Sequence, residues 1–516
     1  MCDRSKVNKM ENNVLKILEQ KGKVCPEAVA LKDKELSLTY RQFQVFARKA
    51  ASGFMHGAGR KNPVIVISDR TVSSVVLFWS VLYSGNFYVP IDAATPAARL
   101  KLLIELIQPS AILMKEQYFQ KRDWRQTAGE IPVFVYEHLI EAEEATEELG
   151  KVIEETIDAD PLYMVFTSGS TGVPKGVVKT HRSVLAFVKE FVELFHFESG
   201  EVFGNQAEFD FDVSAKNIFT SVAVGGTLAL MPKICFMIPA KLSEFLNEHK
   251  ISVLIWSASA VKYAINARCF QSEVPQYVNK ILFSGEALPA KILNAWKEYL
   301  PDAMYVNLYA PSEVTGNCLY HVVEENLEND ERIPLGKAFP NMEVLILNEN
   351  RKPVREGERG EIYVRGAFLA SGYYDNEEKT KQAYVQNPQH NKYRDIVYRT
   401  GDLAEKKDGQ IYFVSRTDDQ IKHMGHRIEL GEIESLASMI RGVDECGVFY
   451  DFKSEKIILV AVGQEITEKE ILMDLKEKLP RYMIPGYIVI KENLAKTHHG
   501  KIDKEHLKML YQRGEL

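Results

Sequence analysis

The chain has 516 residues and 46% hydrophobic content, enough to bury a sizeable core, and at about 150 residues per domain its length predicts roughly three structural units. With 64 Lys and Arg against 71 Asp and Glu, the net charge of −7 argues against a nucleic-acid-coating surface, though not against a local basic site. The cysteines Cys2, Cys25, Cys235, Cys269, Cys318 and Cys446 are scattered without C-x-x-C spacing, so neither zinc nor a disulfide framework is indicated and reduced, cytoplasmic thiols are the simple account.

The polar N-terminus, MCDRSKVNKMENN, lacks an apolar segment, so no signal peptide is expected. No apolar run reaches the ~18–20 residues that span a bilayer. Asn12–Glu19 predicts a short amphipathic helix, Leu36–Tyr40 a strand and Gln42–His56 a helix. Val64–Ile67 (VIVI) is an uninterrupted β-branched run, the mark of a strand buried on both faces. A largely apolar helix over Thr71–Ser84 and strands at Asn86–Asp92, Ala111–Met114 and Val133–Tyr136 follow. Such alternation predicts a parallel, helix-covered sheet. Glu141–Glu155 is acidic and weakly patterned, and reads as a solvated connection.

Tyr163–Gly176, YMVFTSGSTGVPKG, is the most informative stretch. Its apolar start predicts a buried strand. Thr167, Ser168, Gly169, Ser170, Thr171 and Gly172 then form a loop of small and hydroxylic residues that ends in Pro174 and Lys175. Glycines admit close backbone approach, while hydroxyls and free N–H groups suit phosphate oxygens. Lys175 adds a point charge for an anion. The common G-x-x-x-x-G-K-[ST] pattern fails here, because Pro174 precedes the lysine and Gly176 follows it.

Ser183–Phe197 predicts a helix. Phe209–Ser214 (FDFDVS) opens another, with Ser214 as candidate N-cap. Strands are expected at Gly225–Leu230, Val253–Trp256, Lys280–Ser284 and Tyr305–Leu308, the last running into Tyr309–Glu313 (YAPSE). Ligands collect where such strands end. From Val344 the short runs VLIL, EIYVRG and QIYFV predict a small β-rich unit, with Thr400–Leu403 (TGDL) in a turn. Ser415–Gln420 is a polar stretch and a candidate hinge, and residues 421–516 predict a small α/β or α+β domain.

The ordered presence of the 163–176 loop, TGDL at 400–403, SRTDDQIKHMGHRIELGEIE at 415–434 and HHGKID at 498–503 resembles the adenylate-forming superfamily of acyl- and aryl-CoA ligases, luciferases and amino-acid adenylation domains. The resemblance runs from LSLTY at 36–40 to Lys501. It implies an α/β fold: a large N-terminal region, 1–416, of parallel and mixed sheets covered by helices plus a small β-rich unit, and a small mobile C-terminal α+β lid, 417–516.

In that family a carboxylate attacks the α-phosphate of ATP and a thiol then takes the acyl group. The resemblance implies ATP contacts from Thr167, Ser168, Gly169, Ser170, Thr171, Gly172, Lys175, Asn307, Tyr309, Ser312, Asp402, Phe413 and Arg416. Asp402 would hold the ribose and Glu313 magnesium, a hard cation that prefers oxygen. Asp418 falls at the hinge, and a mobile lid fits two chemistries run in one site. Lys501, in GKID, matches the catalytic lysine that meets dispersed phosphoryl charge. An adjacent pair such as His498 and His499 is poorly arranged for one ion and is not read as a metal site.

Within FDxS, Asp212 matches the aspartate that the amino-acid-activating branch pairs with the substrate ammonium, chosen over Asp210 because only Asp212 is followed two residues later by Ser. The implied side-chain pocket is Val213, Lys216, Ser257, Leu282, Ser284, Leu308, Gly316 and Asn317. Several of these resemble serine-activating pockets, whereas Lys216 either pairs with a substrate carboxylate or snorkels to solvent. Ser257 and Asn317 need polar partners, which favours a small polar or acidic amino acid. In this branch the acceptor is the phosphopantetheine arm of a carrier protein. None follows Lys501, so a carrier in trans is expected, with neither nucleic acid nor membrane as partner. GEALP at 285–289 is similar to D-alanine–carrier protein ligases, whose substrate stays open, as does a CoA ligase or a nucleotide-holding module. Two positions depart from the family pattern: Ala310 stands where YGPTE has Gly, and His426 where Phe or Tyr is common.

Overall fold

A computed structural model describes residues 11–169, 173–464, 466–497 and 502–516. The chain divides into two compact units. The first takes the chain up to Ala93, then Gln108–Val165 and Gly176–Ser415; the second takes Ala94–Ile107, Phe166–Lys175 and Arg416–Leu516.

Two large sheets make the first unit. A seven-stranded sheet carries Pro63–Ser68 between the parallel strands Phe87–Asp92 and Ala111–Met114. All six residues of Pro63–Ser68 are buried, as the VIVI run predicts. The helix Val72–Tyr83 behind it is buried on every side, including Trp79 at 1% exposure. Each such large apolar side chain contributes about 1.5–3 kcal/mol on leaving water. A nine-stranded sheet sets Val253–Ser257, Lys280–Ser284 and Met304–Tyr309 side by side in parallel, with Ser257 opposite Ser284. Their carboxyl ends therefore stand in a row.

A five-stranded antiparallel sheet completes this unit, from Met342–Leu347 to Gln410–Arg416. Here TGDL is not a turn. It lies inside the strand Ile396–Lys407, where Glu361 faces Leu403 but Tyr363 faces Arg399. Three residues, Thr400–Asp402, thus bulge opposite Ile362, with Gly401 at φ +72. The acidic segment expected as a connection contains the helix Thr146–Glu155, because Leu149, Val152 and Ile153 line one face and are buried. Ser214 is not the N-cap of its helix. Asp212 occupies that position, and Ser214 Oγ donates to the Phe211 carbonyl.

In the second unit, the hairpin Gln420–His423 with His426–Glu429 leads into the helix Leu430–Ser438 and a three-stranded sheet, Val443–Asp451, Lys456–Gly463 and Tyr487–Lys491. Its core gathers Ile428, Ile433, Val448, Leu459, Ile471 and Leu475. Among the described residues no helix is long and apolar enough to cross a membrane.

Gly336 sits at φ +82, and a Cβ there would lie 2.0 Å from the Tyr320 carbonyl oxygen. Gly336→Ala should destabilise the first unit by about 3 kcal/mol, read as a lowered melting temperature. Burial also holds His181 and His426 neutral, moving each from 6.5 to about 4. His181 Nδ1 accepts the Val14 N–H, and the His426 ring stacks on Tyr482 at 3.7 Å. The unfolded chain binds protons on both rings below its own pKa, and the folded chain resists. Their contribution is complete above pH 6.5 and is lost as pH falls to about 4, up to about 3 kcal/mol per ring. Melting temperature should drop over that window, and His181→Asn should flatten the drop.

Candidate active site

Strand ends of the nine-stranded sheet bring the candidate substrate residues of the first unit together. Ser257 and Ser284 close their parallel strands as opposed neighbours, Leu282 lies two residues earlier and Leu308 sits near the end of the next strand. The helix Val213–Val224 carries Val213 and Lys216, with Asp212 at its N-cap position. Lys216 does not snorkel. It is 4% exposed, and its Nζ donates to Ser284 Oγ at 3.0 Å and Asn317 Oδ1 at 3.0 Å. Burial pulls the Lys216 ammonium down to about 8, against the opposing pull of Asp212. Gly316 stands at φ +68, and a Cβ there would meet the Phe187 ring at 2.3 Å. A side chain at this position would have to displace an aromatic core residue.

Asp212 is already well held. Tyr163 donates its hydroxyl to Asp212 Oδ1 at 2.7 Å, and Lys179 Nζ lies 3.3 Å from Oδ2. Lys179 is fully buried and also donates to the Ser312 carbonyl. Sequence reasoning missed Lys179. Its only signal is a lysine in the buried strand Lys175–Thr180, just past the phosphate loop. Asp210, the competing register, is a different environment. Burial first, then Asp92 and Glu208, push its carboxyl up to about 7.

The nucleotide candidates of this unit lie near by in the fold. Tyr309 donates its hydroxyl to Asp402 Oδ2, and both are buried. Thr400 Oγ1 accepts the Asp402 N–H, so the bulge fixes this carboxylate. Asn307 Nδ2 donates to the Pro334 carbonyl at 2.7 Å. Phe413 is half-buried in the strand Gln410–Arg416. Glu313 follows Ser312, is fully buried and accepts the Tyr373 hydroxyl at 2.7 Å. Among the described residues no group of three or more His, Cys, Asp or Glu could hold a metal ion. A single carboxylate such as Glu313 fits magnesium, which is usually bound through one or two carboxylates together with substrate phosphates.

The described part of the phosphate loop belongs to the second unit. Ser168 Oγ donates to the Arg427 carbonyl at 2.9 Å and accepts the Glu429 N–H at 2.8 Å. The Gly169 N–H points to Glu432 Oε2 at 3.3 Å, and Arg99 binds the other oxygen at 2.5 Å. Burial raises the Glu432 pKa against the pull of Arg99. Lys175 Nζ is 3.8 Å from Glu429. A Cβ on Gly169 would lie 1.9 Å from the Val173 carbonyl oxygen, so the chain closes too tightly here for any side chain. Thr167 Oγ1 is buried without a hydrogen-bond partner among the described residues, the kind of group a ligand oxygen satisfies. Arg416 makes two bonds to Asp418, at 2.7 and 2.9 Å. Burial opposes charge on Asp418, but the bonds from Arg416 overcome it and hold the carboxyl below its usual range. Ser170, Thr171, Gly172, His498, His499 and Lys501 lie outside the described residues.

Comparison with known proteins identifies the family of the chain. The AMP-binding enzyme family matches residues 18–374, and the AMP-binding enzyme C-terminal domain matches 432–501. The chain is 30% identical over 512 residues to a D-alanine–D-alanyl carrier protein ligase of Bacillus licheniformis, covering 96% of this chain and 99% of that one. A protein of the same name from Listeria monocytogenes is 31% identical over 466 residues, covering 87% of this chain and 89% of the other. Against bacitracin synthase 1 of Bacillus licheniformis identity is 29% over 516 residues, covering 98% of this chain but only 10% of the relative. Among solved structures, the Vibrio cholerae adenylation domain AlmE, in complex with glycyl-adenosine-5'-phosphate, superposes with a TM-score of 0.82 at 20% identity, covering 99% of both chains. At that identity the likeness speaks for the fold. The chain belongs to the AMP-binding enzyme family, the adenylate-forming group that its ordered motifs resemble.

Proposed function

We propose that this chain is an ATP-dependent ligase that activates an amino acid and passes it to a carrier protein. The amino-acid carboxylate oxygen attacks the α-phosphorus of ATP. The new P–O bond forms as the bond to the bridging oxygen breaks, releasing pyrophosphate and leaving an aminoacyl-adenylate. A phosphopantetheine thiol of a separate carrier protein then attacks the acyl carbon, and AMP leaves. The observation that carries this reading is the gathering of Asp212, Lys216, Ser257, Ser284, Leu308 and Asn317 at the strand ends of one unit that also holds the Tyr309–Asp402 pair. The names of full-length relatives, carrier protein ligases, support the acceptor and leave D-alanine as one possible substrate.

Each proposed role has a physical basis. Asp402, fixed by its bulge, accepts ribose hydroxyls. The close-packed backbone at Gly169 and the unpartnered Thr167 hydroxyl suit phosphate oxygens. Glu313 would hold magnesium, which neutralises phosphate charge when bound. Lys501 meets the charge that develops at phosphorus, and residues beyond the Asp418 hinge form a lid. The setting is the cytoplasm.

ATP–pyrophosphate exchange across a panel of amino acids tests the reading, and silence with every one would overturn it. Lys501→Ala should lower exchange by about 100-fold or more while leaving the melting temperature unchanged.

A further inference from the structure

Asp212 stands at the N-cap position of the helix Val213–Val224, yet its side chain makes no capping bond there. Its oxygens are held from elsewhere in the first unit. Tyr163 donates to Oδ1, and the Lys179 ammonium lies 3.3 Å from Oδ2. Lys179 is wholly buried while the Asp212 side chain keeps 14% exposure, so the lysine meets the carboxylate from the interior and leaves its outer side accessible. The Ser312 carbonyl accepts a second Lys179 N–H and pins the ammonium in place.

A carboxylate in this state has little charge left to offer. A buried carboxylate without a partner needs a cation, and a substrate ammonium would supply one. Here that place is filled from within the protein, and the positive end of the helix adds to it. A second ammonium brought to Asp212 would also meet Lys179, like charge against like, which cancels much of the gain from the ion pair. Hydrogen bonding is not lost in the same way. An ionised carboxylate offers about four acceptor positions, and Tyr163 and Lys179 do not exhaust them, so the accessible side can still take an N–H or an O–H.

We propose, resting on the adenylation reading above, that Lys179, acting through Asp212, sets the selectivity of the site: it is a built-in ammonium that reduces recognition of the substrate's α-substituent from an ion pair to a hydrogen bond. The site then takes α-hydroxy acids as well as α-amino acids, each donating to Asp212. The carboxylate of either acid attacks ATP in the same way, since the α-substituent takes no part in bond making. An aspartate with no cation behind it would instead demand an ammonium, because a neutral ligand would leave a buried charge unpaired.

The test is ATP–pyrophosphate exchange with amino acids and their α-hydroxy counterparts as matched pairs, in both enantiomers: alanine and lactate, serine and glycerate, aspartate and malate, glutamate and 2-hydroxyglutarate. For the most active pair, the amino acid should exceed the hydroxy acid in kcat/KM by less than about tenfold. Lys179→Met, which removes the charge and keeps much of the bulk, should widen that ratio to about 100-fold or more, through a lower KM for the amino acid and a higher one for the hydroxy acid. Lys179→Arg should hold the ratio near the wild-type value. A lysine that served packing alone would weaken both acids alike and leave the ratio unmoved. A wild-type ratio above about tenfold, or one that folded Lys179→Met does not widen, overturns the assignment while leaving adenylation intact. Silence with every acid overturns the adenylation reading as well. The wild-type ratio decides the matter even if Lys179→Met does not fold.

Discussion

A charge removed from water must be met by another charge or by several hydrogen bonds, and the interior of the first unit is arranged around that demand. Lys179 has no exposure at all and can sit there only because Asp212 and the Ser312 carbonyl receive it. Asp212 in turn fixes Tyr163, whose ring stacks on Tyr88 and Phe219 in the aromatic core. One ionic contact thus ties the strand after the phosphate loop, the helix bearing the substrate candidates and the loop that carries Glu313. The second unit solves the same problem with Arg99 and Glu432, where the Gly169 N–H supplies an extra bond to the carboxylate.

Much of the fold was legible because its signals are local. Ala111–Met114 and Lys280–Ser284 are strands with the bounds expected from their apolar runs. The buried VIVI strand and the largely apolar helix after it followed from composition alone. What escaped was set by tertiary context. The helix Thr146–Glu155 has too few apolar residues to stand out among its acids, yet three of them suffice to anchor it. TGDL carries strong turn residues, but its flanks pair with Arg359–Gly366 and absorb the irregularity as a bulge.

The site divides in the same way. Residues at strand ends, such as Ser257, Ser284 and Leu308, are recognisable because parallel sheets present ligands there. Asp212, Lys216 and Asn317 were found through family resemblance, and the Lys216–Asn317 bond, with the pull of Asp212 on the Lys216 ammonium, adds a reason for the company they keep. Lys179 was illegible. A lone lysine in a strand reads as a surface residue, and only its partner, 33 positions away, explains its burial. Tyr373 beside Glu313 is invisible for the same reason, being 60 positions distant.

The three-against-one bulge at Thr400–Asp402 has a consequence for how this chain can vary. Side chains in a strand alternate faces, so losing a single residue between Arg399 and Leu403 would either slide the strand by one position, turning Ala404 outwards, or tighten the bulge to two residues and shift the Asp402 carboxylate. Identity at the bulge is negotiable where chemistry permits, but spacing is not. Insertions and deletions should be far rarer in this short span than substitutions, a constraint written in length rather than in letters.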